Sequence, residues 1–390
     1  MSNEVVTRPR VQFKFADGLR ALAAIAVALL HATTFTGYLG DADRDVPLAW
    51  RFAEIGNYGV PTFIVLSGFV LMIPVVKNDR FELRGGFTKF IGRRAKRILP
   101  PYYASLVIFL FLIWVIPVLG EQSGTAWDSK IPVTFGGLVS HLFLVQNLSQ
   151  DWIYQIIGPA WSVATEWQIY FLMPLVFLPL WRRLGPWWTV ALAISAPFVL
   201  IRLVPQVGSA HFWFAGLFAL GMLAAYFAFH GTKFRAGWPA AIVGSIAVAW
   251  LWADPVSAEV NNKYSEMLVG IAIALLLQWL ATESLEGRRT WLHRILEAKF
   301  LVWVGLWSYS LYLIHSPLLG LANLLLLPLD LPTWQQLLVM WFVALPASAA
   351  VAYVFHLLVE RHFITSHQRA ELKREQPANR LLPNARKRSE

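Results

Sequence analysis

The chain contains no cysteine among its 390 residues. That excludes disulfides, thiolate metal sites and a thiol nucleophile, and it leaves the compartment open. Charge is scarce, at 14% of residues, while 57% are hydrophobic. Mean hydropathy is +0.53. No soluble globular chain of this length needs that much apolar surface. A cleavable signal is also missing. The first apolar segment, Phe15 to Thr34, is too long, contains Arg20 and lacks a small-residue cleavage site.

What is present is a series of continuous apolar stretches, each about 18 to 25 residues long, the length of a membrane helix. They do not alternate, so an all-α, polytopic membrane helical bundle is favoured over a barrel. Ten spans are expected: 15–35, 57–77, 101–119, 159–181, 187–205, 210–230, 238–253, 264–282, 299–328 and 334–358. The segment 136–149 is apolar but short, and reads as re-entrant or interfacial. This gives an N-terminal tail (1–13), one membrane domain (14–360) and a basic C-terminal tail (361–390). There is no internal repeat and no second soluble domain.

Charge gives the bundle a direction. With the N-terminus inside, the inside segments hold 27 of the 33 Lys and Arg residues, eight of them in the 77–97 loop. The outside loops carry Asp41, Asp43, Asp45, Glu54, Asp128, Asp151 and Asp254 among others. This is a positive-inside pattern, with both termini cytoplasmic in a multi-pass protein of the cell (inner or plasma) membrane. The net charge of +10 is then mostly cytoplasmic-face charge that also attracts anionic membrane lipids. Nucleic acid is not an expected partner, and no feature speaks to oligomeric state.

Within the spans, ionisable residues are the informative ones. A charged side chain at mid-bilayer costs on the order of 2.5 to 3.5 kcal/mol, and chains accept this mostly where the group works. Arg20 and His31 lie in the first span. Eleven residues at about 100° each come to about three turns plus 20°, so the two share one helix face, separated by roughly 16 Å of rise. Asp17, three residues before Arg20, can pair with it. The bland reading is an anchoring arginine and a hydrogen-bonded core histidine. The chemical reading is His31 as general base for a hydroxyl.

A second cluster is GPAWSVATEWQIYFLMP, residues 158–174. Glu166 sits in a span beside Trp161 and Ser162, near enough the outer end to meet His31. A third is the basic stretch 80–103, with Lys89, Arg93, Arg94 and Arg97 before Pro100-Pro101. Arginine forks suit phosphates, although topology alone also accounts for such charge. Tyr309, Tyr312 and His315 lie in SYSLYLIHSP, and Ser67 and Gly68 in FIVLSGFV, where close helix packing is the simpler reason. His141, Gln146 and Asn147 lie on the short segment and can face a cavity. His356 and Glu360 read as structural.

These residues carry a resemblance. FADGLRALAAIAVALLH, residues 15–31, is similar to the opening signature of acyltransferase family 3, the bacterial integral-membrane O-acyltransferases that modify sugars, antibiotics and envelope polymers. FIVLSGFV, RRAKRILPPYY, HLFLVQN, PAWSVATEWQIYFLMP and SYSLYLIHSP resemble its later blocks, in order, over roughly residues 13–362. Small departures are Phe15-Ala16 before Asp17, Ala21 where glycine is common, and His362 after Glu360-Arg361. The resemblance implies acyl-CoA, by default acetyl-CoA, as a cytoplasmic co-substrate with no permanently bound cofactor and no metal. It implies a hydroxyl acceptor reached from outside, on a glycan or glycosylated small molecule. It implies that His31 and Arg20 are essential, that Arg93 and Arg97 match positions holding the CoA phosphates, and that Glu166 matches the family's Trp-Ser-x-x-x-Glu glutamate.

The expectation is therefore an O-acyltransferase with His31, Arg20, Glu166 and Asp17 at the catalytic site, with Glu166 orienting His31. Arg93, Arg94, Arg97 and Lys89 are expected on the donor, and Trp161, Ser162, Ser67, Asn147, Tyr309 and His315 on substrate. Two rivals are a lipid-linked glycosyltransferase using Asp41, Asp43 and Asp45, and a proton-coupled exporter with a relay through Asp17, Arg20, His31, Glu166 and His315.

Overall fold

The computed structural model describes residues 13–231, 236–253 and 262–363. Among them the secondary structure is helical throughout. In chain order, α1 is Lys14–Thr34, α2 Gly59–Val76 and α3 Gly86–Val115. The short α4 is Phe135–Phe143, and α5, Trp161–Leu172, runs through a π turn at Met173–Phe177 into α6, Leu178–Leu203. Then come α7 Phe214–Phe229, α8 Gly237–Ala253, α9 Asn262–Leu285, α10 Lys299–Leu306, α11 Ser308–Leu326, α12 Thr333–Val339 and α13 Leu345–Leu358. Eight helical stretches are long and apolar enough to cross a membrane. The chain is thus a polytopic helical bundle. The two terminal tails lie outside the described residues, apart from Phe13 and 361–363.

The expected spans map onto these helices with three corrections. Spans 159–181 and 187–205 form one 46-residue stretch, Gly158–Leu203. It breaks at Gly185, whose φ of 82° and ψ of 174° are non-helical, a conformation glycine takes without strain. Span 299–328 is two helices, because the backbone at Trp307 (φ −119°, ψ 15°) interrupts it, and only the second is of spanning length. The third span begins earlier than 101: the basic residues from Gly86 onward are continuous with it through Pro100-Pro101. Gly237–Trp250 is apolar but shorter than the rest.

Helix α4 has nine residues, a rise of about 14 Å, against a bilayer core of about 30 Å. Its carbonyl end is met by protein. Tyr102 donates to the His141 carbonyl at 3.0 Å and Tyr103 to that of Leu142 at 2.7 Å. The turns after it are held by Gln146, which donates to the Ala160 carbonyl at 3.1 Å. This is how irregular backbone persists beside lipid.

The bundle is drawn together by backbone contact at glycines. A Cβ on Gly68 would sit 2.0 Å from the Phe218 carbonyl oxygen, and one on Gly221 2.0 Å from that of Val65. This is where α2 crosses α7, and Leu66, Phe69, Met72, Phe214 and Phe218 bury completely around the crossing. Likewise a Cβ on Gly18 would meet the Leu296 carbonyl oxygen at 1.8 Å, and one on Gly305 that of Asp17 at 2.1 Å. These contacts clamp the inner end of α1. In lipid, where apolar association gives little drive, such close approach is a main source of packing energy.

The obstructing atoms are backbone, so they cannot swing aside. Gly68→Val is expected to destabilise the detergent-solubilised protein by at least the roughly 1–3 kcal/mol of ordinary overpacking, read as a lower unfolding temperature. Gly92→Ala, at a position with no heavy atom within 4 Å, serves as the comparison and leaves that temperature unchanged or slightly higher. Equal stability of the two variants contradicts this packing.

Candidate active site

Two cavities lie along α1, one toward each end. The inner one, about 100 Å³, is lined by Arg20, Arg94, Arg97, Ser67, Glu166, Tyr170, Ser162, Tyr309 and Tyr312. The outer one, about 560 Å³, is lined by His31, Thr34, Trp50, Glu54, Asn57, Lys130, Tyr154 and Trp161 among others. The eleven-residue spacing of Arg20 and His31 thus places one in each.

In the inner cavity, Arg20 donates to Asp17 at 2.6 Å, the expected pair. Arg94 and Arg97 are three residues apart on α3 and turn the same way, into the cavity. The Arg94 Nε is buried without a protein partner. Lys89 and Arg93, expected beside them, are exposed and do not line the cavity, and Arg93 donates to the Arg84 carbonyl at 3.3 Å. The cation set facing the cavity is therefore Arg20, Arg94 and Arg97. Tyr309 donates to the Ile98 carbonyl at 3.1 Å, fixing α11 against α3.

Glu166 belongs to this inner cavity and does not pair with His31. Its Oε1 accepts from Ser67 and, at 2.6 Å, from Tyr170. The reason is depth. Glu166 is five residues past Trp161, which lines the outer cavity, so it lies about 7–8 Å further in. There it faces the middle of α2. Its negative charge stands across the cavity from Arg94 and Arg97.

His31 has a different partner. Its Nδ1 lies 2.9 Å from the Val27 carbonyl oxygen and 3.2 Å from His315 Nε2. The His315 Nδ1 in turn lies 2.8 Å from the Leu311 carbonyl oxygen. A carbonyl can only accept, so with both rings neutral each Nδ1 carries a proton. The one His31 Nδ1 proton is then shared between the Val27 carbonyl and His315 Nε2, and the lone pair of His31 is left on Nε2. This tautomer is assigned from the hydrogen bonds. It is the form a general base requires. His315 is fully buried and borders neither cavity, so it acts on His31 rather than on substrate.

The wall between the cavities is polar. Tyr312 donates to the Pro159 carbonyl at 2.8 Å, and Ser162 Oγ lies 2.6 Å from the Tyr312 hydroxyl. Trp161 stacks on His211 with ring centroids 4.0 Å apart. Asn147, expected on substrate, is fully buried. Its amide is engaged by Thr165 at 3.1 Å and by Gln168 at 3.2 and 2.8 Å. Paired with Gln168 in the bundle interior, this carboxamide borders neither cavity.

The rival arrangements do not assemble. Asp41 and Asp45 are engaged by Arg44 at 2.8 and 2.7 Å, and Asp45 also by Thr333 at 2.5 Å. The supposed relay is divided between the two cavities. Sequence reasoning passed over Tyr170, Trp50 and Lys130. For Lys130 a signal existed, since few basic residues fall in the outside loops.

Comparison with known proteins places the chain in a family. The family described as the acyltransferase domain, of the type-3 class, matches residues 13–357. The chain is 29% identical to the acyltransferase MdmB of Streptomyces mycarofaciens, over 76% of each protein. It is 25% identical to the peptidoglycan O-acetyltransferase OatA of Listeria monocytogenes, over 83% of this chain but 52% of that one. It is 30% identical to the putative peptidoglycan O-acetyltransferase YrhL of Bacillus subtilis, over 41% of this chain and 23% of that one. The chain thus spans about half or less of the two longer relatives. No solved structure matches it. With the family covering nearly all the described helices, the chain belongs to acyltransferase family 3 and is a multi-pass membrane O-acyltransferase.

Proposed function

We propose that the protein moves an acyl group, by default acetyl, from acyl-CoA at the arginine end of α1 to a hydroxyl group held in the outer cavity. The acceptor in this reading is a glycan or a glycosylated small molecule. One observation carries it: a single helix, α1, joins a cation cluster at one cavity, through Arg20, to a proton-accepting imidazole at another, through His31. Arg94 and Arg97 suit the CoA phosphates, because planar guanidinium forks bind phosphate oxygens in pairs. The pantetheine arm, on the order of 15 to 20 Å when extended, matches the rise from Arg20 to His31. To follow that line the arm displaces the Ser162–Tyr312 hydrogen bond.

In the transfer step, His31 Nε2 takes the proton of the acceptor hydroxyl. The hydroxyl oxygen adds to the thioester carbonyl, and the tetrahedral intermediate expels the CoA thiolate. The thiolate then recovers the proton from His31. His315 holds the imidazole in the tautomer with Nε2 unprotonated and shares the charge that develops on it, the part a carboxylate takes in hydrolase triads. Glu166, fixed by Ser67 and Tyr170, balances the arginines while no phosphate is bound. Trp50, Tyr154 and Trp161 give the outer cavity the ring faces a sugar needs. The names of the relatives, which include peptidoglycan O-acetyltransferases, support a glycan acceptor.

His31→Gln is expected to lower transfer from labelled acetyl-CoA by about 10²–10⁴, the usual worth of a general base. His315→Gln, which keeps an acceptor for His31 Nδ1, is expected to retain about tenfold more kcat than His315→Leu, with KM for acetyl-CoA close to wild type in both. Wild-type rates in His31→Gln at equal expression contradict the mechanism. Separately, Arg97→Gln and Arg94→Gln are each expected to raise KM for acetyl-CoA by at least about tenfold, the loss of a charge-assisted hydrogen bond. They leave KM for acetyl-pantetheine, which has no adenosine phosphates, as in wild type. Arg93→Gln, on the exposed face, changes either value less than twofold. An equal rise in KM for both donors contradicts a phosphate site.

A further inference from the structure

Lys130 is the least accounted-for charge in the protein. It ends the short helical turn Ala126–Lys130 in the loop after α3, and it is only 8% exposed. It lines the same outer cavity as His31. Its Nζ makes one hydrogen bond, to Ser129 Oγ at 2.6 Å. No carboxylate among the described residues lies within ion-pairing distance of it. Asp128, two residues away and also on the cavity, is held by Ser123 and by the Gly124 amide at 2.9 Å.

The ammonium is aimed rather than loose. It sits 5.9 Å from the centre of the Phe35 ring and 5.4 Å from that of Tyr154. Gly158 closes the other side, where a Cβ would come 2.7 Å from Nζ. Burial lowers its pKa to about 8, so it remains mostly charged at neutral pH. A buried cation with no counter-charge is costly unless something in the working complex supplies one. Lysine, a compact charge with several donors, pairs with single oxyanion groups. The cavity is far larger than a thioester needs. Its other walls include Trp50, Tyr154 and Asn57, which offer ring faces and a carboxamide of the kind a sugar takes.

Resting on the acyl-transfer reading above, we propose that Lys130 recognises an anionic group, a carboxylate or a phosphate, on the acceptor, and so directs acylation to hydroxyls of acidic sugars. The anion fills the donors left free on Nζ, while the sugar ring lies toward His31. A cation serving only the transient oxyanion of the transfer step is the competing role. It predicts a loss of kcat shared equally by acidic and neutral acceptors.

The test is binding by calorimetry to the purified full-length protein in detergent, with three probes: methyl glucoside, methyl glucuronide and methyl glucoside 6-phosphate. Wild type is expected to bind one of the two acidic probes at least about tenfold more tightly than the neutral one, as a charge-assisted contact requires. Which acidic probe wins distinguishes carboxylate from phosphate. Lys130→Met is expected to abolish the preference, and Lys130→Arg to keep it. Equal binding of the three probes by wild type, no binding at all, or a preference that survives in Lys130→Met overturns the proposal. The wild-type comparison stands even if the methionine variant does not fold. Transfer from labelled acetyl-CoA is measured in parallel. A protein that prefers an acidic probe yet acylates none overturns the transfer reading and leaves the anion site standing.

Discussion

The arrangement of this enzyme depends on how α1 is held. At its inner end the helix lies backbone-to-backbone against the segment around α10, through Gly18 on Leu296 and Gly305 on Asp17. At its outer end the carbonyl and amide of Gly37 are both hydrogen-bonded by Asn323 at 2.9 Å. Fixed at both ends, α1 is a ruler. Arg20 and His31 cannot change their separation, so the distance between the cation cluster and the imidazole is set by helix geometry. Side chains from α2, α3, α5 and α11 complete the inner cavity around it, and residues of the segments 39–58, 124–130 and 154–161 complete the outer one.

Much of this was legible in the sequence because the bilayer is a strict solvent. Apolar length gave most of the spans. The Asp17–Arg20 pair and the shared face of Arg20 and His31 followed from helical spacing alone. Other parts were not legible for physical reasons. The break at Trp307 lies where α10 packs on α1 through Gly305, a contact the local residues of 299–328 do not reveal. The partner of His31 is set by which helix lies beside α1. Glu166 and His315 were both plausible by type, and only the three-dimensional depth of each decided between them. Lys89 and Arg93 were indistinguishable by composition from Arg94 and Arg97, and only the packing around α3 shows which of them line the cavity.

The polar residues divide into two kinds. Asn147 and Gln168 bond each other, and Gln168 and Gln146 donate to the Leu144 and Ala160 carbonyls of the irregular backbone, which lipid cannot do. Arg94 Nε, His31 Nε2 and the Nζ of Lys130 retain capacity for a hydrogen bond and face a cavity. The first kind holds the bundle's irregular segment in place. The second marks where the proposed donor, proton and acceptor act, in that order along α1.

The account's central claim is that donor and acceptor sit at opposite ends of α1. The most direct measurement uses proteoliposomes with labelled acetyl-CoA enclosed and a membrane-impermeant glycoside outside. The account predicts labelled acetyl on the outside glycoside while coenzyme A stays enclosed, with the signal absent in His31→Gln. Transfer that occurs only when donor and glycoside share one side of the membrane, or that persists in His31→Gln, would contradict it.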